Sequence, residues 1–280
     1  MRIAMKRMFI PAFALLFSAL PALAAEATFD RTLTVNGPVD LTVSDGAGTI
    51  HITRGSDQRI HISGRVHSGW DSSGQRASEV AANPPIQQTG NIVRIGGHGF
   101  DLQHVSIDYE IQAPASAHLK ANTGSGSLRI EGVGQDAHLS TGSGDIRAEG
   151  LQGGFIIGTG SGNIVATQVS AGDVKADTGS GDIDLQGIHG GLHTATGSGK
   201  IRVSGTPTSA WRLQTGSGNI EFTPGSAGFA LDASTGSGDI RSDQQMAMQG
   251  SINRHHVVAN IHGGGPLVRI ETGSGDIRIH

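Results

Sequence analysis

The chain has 280 residues, no cysteine, 44 glycines and a formal net charge of −4 at pH 7. The absence of cysteine excludes disulfide bonds, thiolate metal sites and lipid attachment through a cysteine that follows a leader. The acidic balance argues against nucleic acid as a partner, because nucleic-acid binding depends on lysine and arginine contacts to phosphate.

Residues 1–24 are predicted to be a secretory signal peptide. Three basic residues precede an apolar run over 8–20, and small residues follow around Ala24 and Ala25, where we expect cleavage. A retained membrane anchor is the alternative, but the run is short for a bilayer span and contains Pro11. Removing the three basic residues leaves 17 Lys and Arg against 24 Asp and Glu, a net charge of −7. We therefore expect an exported protein, periplasmic or at the cell surface, with no membrane span after cleavage.

Residues 25–117 are predicted to form a β-rich N-terminal cap region. Segments such as 50–52 alternate apolar and polar side chains, which is typical of strands with one buried face. A short helix is expected around 76–82. Trp70 and Tyr109 are candidate exposed anchors for a ligand, although packing in the core or cap is the commoner use of such residues.

The tetrapeptide Thr-Gly-Ser-Gly recurs eight times between residues 118 and 280. Successive copies are 18, 18, 19, 18, 19, 20 and 37 residues apart, and the last interval resembles two periods with one copy missing. A fixed period of this length is the signature of a solenoid, in which each repeat forms one coil. Residues 44–50 look like a decayed further copy. The copies begin at Thr123, Thr141, Thr159, Thr178, Thr196, Thr215, Thr235 and Thr272.

Apolar residues occupy most positions four and two residues before each motif threonine, and five and seven residues after it. This period of two predicts an inward-facing strand on either side of the tetrapeptide. The tetrapeptide is interpreted as a tight corner, whose glycines permit positive φ and close approach of the next coil. Each threonine shares the parity of the inward residues, so we expect a structural role for it. The sequence predicts an all-β fold, a β-solenoid over 118–280 with two short strands in each coil of 18–20 residues.

Three features together resemble a known family. They are the run Val105–Pro114, the repeated Thr-Gly-Ser-Gly-Asp-Ile and the glycine-rich segment 263–266 before the last copy. They resemble the bacterial putative-adhesin β-solenoid family over about residues 30–280. The resemblance implies a β-solenoid fold, whereas the family is a domain of unknown function and offers no catalytic residues to transfer.

Metal sites and cofactors are not predicted. The calcium-binding nonapeptide of β-rolls is the nearest motif, but here the aspartate follows glycine directly, as at Asp145, so the register is wrong. We interpret the Asp and Asn residues at this position as turn formers, with no two aspartates in adjacent coils. The densest histidine group is His255, His256 and His262. Because the first two are adjacent on a strand, they point to opposite faces and do not share a metal ion.

A β-helical polysaccharide lyase or glycosidase is the main alternative to a binding protein. Such enzymes need paired carboxylates, or a base with cations, on loops beside a groove. The coils between 123 and 240 carry no insertion long enough to wall a cleft, and their outward charges are mixed. A calcium-binding solenoid and a repetitive surface such as an ice-binding face are further alternatives. No catalytic residue is predicted.

We therefore predict a non-catalytic, adhesin-like scaffold of the cell envelope or surface that binds another macromolecule or itself. The final segment, 276–280, has no evident cap, so its strand is expected to offer an edge to a partner or to a second copy. The repeat lapses over 64–104 and 241–266, and these are the segments in which function should be sought.

Overall fold

The computed structural model describes residues 26–69, 74–97, 99–100, 102–248 and 254–280. These residues form one helix and 22 strands, which belong to one hydrogen-bonded sheet. The predicted signal peptide, with its cleavage site at Ala24 and Ala25, lies outside the described residues, and so does Trp70. Within the described part, no helix has the length and apolar character that a membrane span requires.

The helix α1 spans Gln75–Ala82 and confirms the short helix predicted there. The strands are, in chain order, β1 Glu26–Thr34, β2 Asp40–Asp45, β3 Ile50–Arg54, β4 Arg59–Ser68, β5 Ile86–Thr89, β6 Ile92–Gly96, β7 Val105–Ala113, β8 His118–Thr123, β9 Leu128–Glu131, β10 Gln135–Thr141, β11 Ile146–Thr159, β12 Ile164–Ser170, β13 Val174–Thr178, β14 Ile183–Thr196, β15 Ile201–Ser217, β16 Ile220–Pro224, β17 Phe229–Ser237, β18 Ile240–Ser242, β19 Met246–Met248, β20 His256–Ile261, β21 Leu267–Ser274 and β22 Ile277–Ile279.

The strands stack in two columns, which confirms the predicted all-β solenoid. Column A holds the strands before each corner and column B the strands after it. Pairing is parallel through the regular repeats and antiparallel near the ends. In stacking order, column A is β5, β6, β2, β8, β10, β11, β13, β14, β15, β21, β17, β20 and β19, and column B is β1, β4, β7, β3, β9, β11, β12, β14, β15, β16, β22 and β18.

The strands β11, β14 and β15 contribute to both columns, because the chain between column B and column A also pairs with its neighbours. This connection forms a partial third side that the two-strand prediction did not include. Leu151 and Ile188 are buried on its inner face. Gln168 is buried beside them, and its side chain donates to the Gly153 carbonyl and accepts from the His189 amide, both at 2.8 Å. The solenoid coil therefore has a third, irregular wall.

Inward side chains from the two columns form one continuous hydrophobic core. At its centre Trp211 packs against Phe222, with ring centroids 5.4 Å apart, and Phe222 packs against Phe229 at 5.5 Å. The indole Nε1 of Trp211 donates to the Gly190 carbonyl at 2.8 Å, so the one polar atom of this ring is satisfied. The inward position predicted for Trp211 by strand parity is confirmed.

Close approach of successive coils explains the glycines of the corner. A Cβ built on Gly197 would lie 2.6 Å from the carbonyl oxygen of Gly179 in the preceding coil, well inside van der Waals contact. Neither glycine has a positive φ. Stacking distance therefore accounts for these two glycines. Gly238 and Gly275 in the last two motif copies have φ of 155°, so positive φ also contributes at those two corners.

At the C-terminal end, chain order and stacking order differ. The last coil, β21–β22, is inserted between β15–β16 and β17–β18, so β22 pairs with β16 on one side and with β18 on the other. The prediction that 276–280 offers a free strand edge is wrong, because this strand is an interior layer. The 37-residue interval between the last two motifs holds the outer coil and the antiparallel strands β19 and β20 that cover it.

The N-terminal end has the same arrangement. The first coil, β2–β3, lies between β6–β7 and β8–β9. Antiparallel strands cover the outer layer, β5 on β6 and β4 with β1 on β7, and α1 packs on β1 and β4. Paired antiparallel ends of this kind shield the backbone edges that a bare solenoid would expose. The two columns run without a break across residue 117.

Candidate functional site

The motif threonines lie inside the corners and are buried. The hydroxyl of Thr141 donates to the Gly126 carbonyl of the preceding coil at 2.8 Å and accepts the amide of Gly144 at 3.2 Å. Each hydroxyl thus joins its own corner to the next one, which leaves it without a free position for a ligand. The same donation to a neighbouring coil is made by Thr123, Thr159, Thr178, Thr196, Thr215, Thr235 and Thr272.

Most Asp and Asn residues that follow a corner accept a backbone amide of the adjacent coil, and Asp239 in the outer coil instead pairs with Arg241. The side-chain oxygen of Asp145 accepts the amide of Asn163 at 2.8 Å, and that of Asn163 accepts the amide of Asp182 at 2.9 Å. Their oxygens are therefore engaged by backbone, which accounts for these residue types without calcium. One sequence expectation is wrong: Asp239 and Asp276 do lie in adjacent coils, because the last coil is inserted below the outer one.

The histidines of the group His255, His256 and His262 make separate contacts. His255 Nδ1 lies 3.1 Å from the Gly238 carbonyl, and His256 Nε2 lies 3.0 Å from Asp232 Oδ1. His262 has a φ of 47° in the turn after β20. Among the described residues, no three His, Asp or Glu side chains are grouped as a metal ion would require.

Most outward charges of the regular coils are neutralised within the solenoid. In column B the hydrogen bond from Arg129 and its charge hold the pKa of Glu131 below its usual value. Such exposed pairs contribute little stability, but they leave a surface without strong attraction for a charged ligand. The pairs include Arg129–Glu131 at 2.6 Å, Arg147–Glu149 at 2.5 Å, Arg202–Asp184 at 3.0 Å, Lys175–Asp177 at 3.4 Å, Arg212–Glu271 at 3.2 Å and Arg269–Asp232 at 2.9 Å.

One groove, of about 600 Å³, lies where the third side meets column A. It holds two carboxylates, Asp136 and Asp173, which lie two layers apart, about 10 Å along the stack. Asp173 accepts the amide of Gly191 at 2.8 Å, and Asp136 has a side chain 65% exposed, 3.4 Å from His118. A two-carboxylate hydrolase needs one carboxyl whose pKa is raised by burial. Asp136 is exposed and therefore lacks the buried environment that this role requires.

A second groove, of about 760 Å³, lies on the outer face of column A near its N-terminal end. We call it the notch. Its floor is β2, and its walls are β6 with β5 on one side and β8 on the other. It exists because the N-terminal coil is inserted between β6 and β8. The side chains that line it include Thr42, Ser44, Gln87, Arg94, Lys120 and Asn122.

The notch takes its shape from long side chains on the walls and short ones on the floor. Thr42 pairs in register with Arg94 on one side and with Lys120 on the other, and Ser44 pairs with Asn122. Arg94 and Lys120 are exposed and, unlike the cations of the regular coils, have no ion-pair partner among the described residues. The two cations flank a strip of hydroxyl groups.

Two polar atoms behind the notch are buried with no hydrogen-bond partner among the described residues. They are the Tyr109 hydroxyl and Oδ1 of Asp45. Burial, with a smaller contribution from the Asp45 carboxylate, raises the pKa of Tyr109. A Cβ on Gly96, which lines the notch, would lie 3.4 Å from that hydroxyl. Tyr109 therefore belongs to the core. Of the two uses that the sequence suggested for it, core packing is the one observed, and an exposed anchor is not.

Residues 39–280 match the family model described as Toastrack DUF4097. The chain belongs to the Toastrack DUF4097 family. The match confirms the family resemblance predicted from the repeats.

Solved structures similar to this Toastrack chain have low sequence identity. A putative cell adhesion protein from Clostridium sporogenes is 13% identical, with 91% of this chain and 98% of that chain covered and a TM-score of 0.31. A putative adhesin from Parabacteroides distasonis is 11% identical, with 91% and 97% covered and a TM-score of 0.40. A putative lipid binding protein from the same organism is 14% identical, with 89% and 96% covered and a TM-score of 0.40. No curated protein sequence matches the chain.

The notch of this Toastrack chain was not foreseen from its sequence, although Gln87 and Arg94 lie in the lapsed region 64–104. Gly96, Gly97, Phe100 and Leu102 from the same region also line it, whereas the remaining residues come from 42–46 and from β8, far away along the chain. The available signal was the decayed corner over 44–50, where Asp45 replaces the motif threonine and pairs in register with Thr123. That substitution marks the coil on which the notch is built.

Proposed function

We propose that this protein is a non-catalytic scaffold of the cell envelope or surface, exported after removal of residues 1–24, which binds another macromolecule. The notch between Arg94 and Lys120 carries this proposal. It is an open groove in which hydrogen-bond donors have no partner among the described residues, on a solenoid whose other charges are largely paired. A rigid stack of coils suits a protein that presents a surface.

The main alternative, a polysaccharide-cleaving enzyme, would use the groove with Asp136 and Asp173. The exposed Asp136 carboxyl and the engagement of Asp173 by a backbone amide both argue against it. The asparagine variants of these two aspartates test this alternative. Both should leave macromolecule binding unchanged.

Two measurements test the proposed function. A C-terminally tagged full-length chain should fractionate with the envelope or the medium, and cytosolic retention of the uncleaved chain would contradict export. The mature chain should bind one or more members of a panel of purified acidic and neutral envelope polysaccharides in sedimentation assays. Release of new reducing ends or unsaturated sugars, lost in D136N or D173N, would overturn the non-catalytic assignment.

A further inference from the structure

The notch has more cationic than anionic side chains among its described residues, and Phe100 and Leu102 also line it. Arg94, Lys120 and Gln87 bring cationic or amide groups from the walls, and Thr42 and Ser44 bring hydroxyl groups from the floor. None of these five side chains has a hydrogen-bond partner among the described residues. Unsatisfied donors and two unpaired cations together favour a negatively charged ligand with several acceptor oxygens.

The orientation of Asn122 adds to this imbalance. Its Oδ1 accepts the Ser140 hydroxyl at 2.7 Å. Because the oxygen is engaged by the neighbouring coil, the amide nitrogen, which carries two protons, is the group left for the notch. Asn122 therefore adds a hydrogen-bond donor to the notch.

Asp45 is the one carboxylate among the described lining residues, and it does not neutralise the two cations. Its Oδ2 accepts the backbone amides of Ala47 and Gly48, and its Oδ1 is buried. No ion pair joins it to Arg94 or Lys120 among the described residues. It occupies the place of a motif threonine in the corner, so its role is to close the turn.

We propose that the notch binds a phosphate-class oxyanion group carried by the macromolecule of the proposed function, on which this inference rests. Arg94 and Lys120 are separated by one strand, so their Cα atoms lie about 10 Å apart. Both residues pair in register with Thr42, one on each side, and both side chains line the notch. A planar carboxylate is satisfied by a single guanidinium fork, whereas a tetrahedral group takes donors from several directions. The two walls and the hydroxyl floor supply those directions.

The test is calorimetric titration of the mature chain with inorganic phosphate, and with acetate at the same ionic strength. Wild type should bind phosphate in preference to acetate. The double variant R94Q/K120Q should lose affinity for phosphate by about tenfold or more, because charge-assisted hydrogen bonds are removed. Equal binding of phosphate and acetate, or an unchanged affinity in the double variant, would overturn the inference.

The control is K175Q, in the same column, which removes one positive charge where the double variant removes two. Lys175 is paired with Asp177 at 3.4 Å, so its loss should alter phosphate affinity by no more than about twofold. A loss of phosphate affinity in K175Q as large as that in the double variant would show that phosphate is attracted by positive charge in general. That result would overturn the proposal of a specific site in the notch. All of these side chains are exposed, so the variants should fold, as circular dichroism would verify.

The source of the phosphate is resolved by separate ligands. Vesicles of phosphatidylglycerol, against phosphatidylcholine, test a lipid headgroup, and a phosphorylated oligosaccharide, against its dephosphorylated form, tests a glycan. If wild type binds inorganic phosphate through Arg94 and Lys120 but no envelope polymer, the notch is an oxyanion site as inferred, but the macromolecular carrier and the proposed function fail. If polymer binding survives R94Q/K120Q unchanged, the proposed function stands and the notch inference fails.

Discussion

The backbone amide of Asp239 donates to Oδ1 of Asp276 at 3.1 Å, although the two residues are 37 positions apart. At the corresponding place in the regular coils, the neighbour across the stack is the next repeat along the chain. Here the last coil has entered beneath an earlier one, and Ile240 pairs with Ile277. Two carboxylates consequently occupy adjacent layers, an arrangement that like-charge repulsion disfavours.

Relieving this repulsion should stabilise the protein. D276N keeps an acceptor oxygen for the Asp239 amide but removes one of the two adjacent charges, so we expect a gain of about 0.5 kcal/mol at low salt. The gain should fade as salt screens the charges. D182N is the control, because Asp182 lies between Asn163 and Lys200. Equal changes in melting temperature for D276N and D182N would contradict the placement of Asp239 and Asp276 in adjacent coils.

The inserted last coil should behave as an interior layer in stability measurements. Ile277 is fully buried between β16 and β18, so I277A should cost about 2–5 kcal/mol through lost packing and a cavity. Ile240, at the same position in the outer coil, is only partly buried, and I240A should cost clearly less. Urea denaturation of both variants tests the order of the two coils. A larger loss of stability for I240A than for I277A would mean that β18, and not β22, is the interior strand.

A side chain at the first motif glycine should separate two coils. In G179V the new Cβ would meet the Gly160 carbonyl oxygen, and backbone cannot move aside as a flexible side chain can. We expect a loss of more than about 2 kcal/mol. Q186V, on the exposed face of β14, should change stability by less than about 0.5 kcal/mol. Similar melting temperatures for the two variants would disprove the close-approach explanation.

Asp232 should make stability depend on pH. Burial alone would raise the pKa of Asp232, but the hydrogen bonds from His256 and Arg269 together lower it by a larger amount. The pKa of Asp232 therefore lies below its usual value. The ionised form therefore favours the folded state, with a contribution that is present above the unfolded pKa of about 3.9 and is lost as pH falls through the folded pKa.

D232N should thus be less stable than wild type at pH 7 by about 1 kcal/mol, after allowance for partial exposure. The difference should shrink as pH falls below about 4, where the carboxyl is protonated first in the unfolded state and then, at lower pH, in the folded state. Chemical denaturation at pH 7, 5 and 3 measures this. D57N, in an exposed turn, should show no comparable trend. If the difference is as large at pH 3 as at pH 7, the effect comes from the shape of the Asp232 side chain and not from its charge.

The Tyr109 hydroxyl should be dispensable for stability. It is buried and has no hydrogen-bond partner among the described residues, a state that costs about 1–3 kcal/mol in similar cases. Y109F should therefore be as stable as wild type or more stable. T194V is the contrast, because the Thr194 hydroxyl donates to the Ala176 carbonyl at 2.9 Å. A melting temperature lower in Y109F than in T194V would reveal a partner for the tyrosine.

The local parts of the fold could be predicted because they repeat. Inward positions such as Ile146, Ile164 and Ile183 follow from alternation, and the threonine corners follow from parity. The third side could not be predicted, because its buried residues are a leucine in one coil, Gln168 in the next and Ile188 in another. Without a shared residue type there is no period to detect.

The sequence by itself determined the coil: its length, its corner and the residues that face the core. These depend on contacts within about 20 residues, and they recur with each copy. Only the tertiary structure decided which coil neighbours which at the two ends. Every coil presents the same backbone hydrogen bonds and nearly the same corner to its neighbours, so local pattern does not distinguish one order of stacking from another. The insertion of β2 between β6 and β8 is such a choice, and it brings Arg94 and Lys120 to opposite walls of the notch.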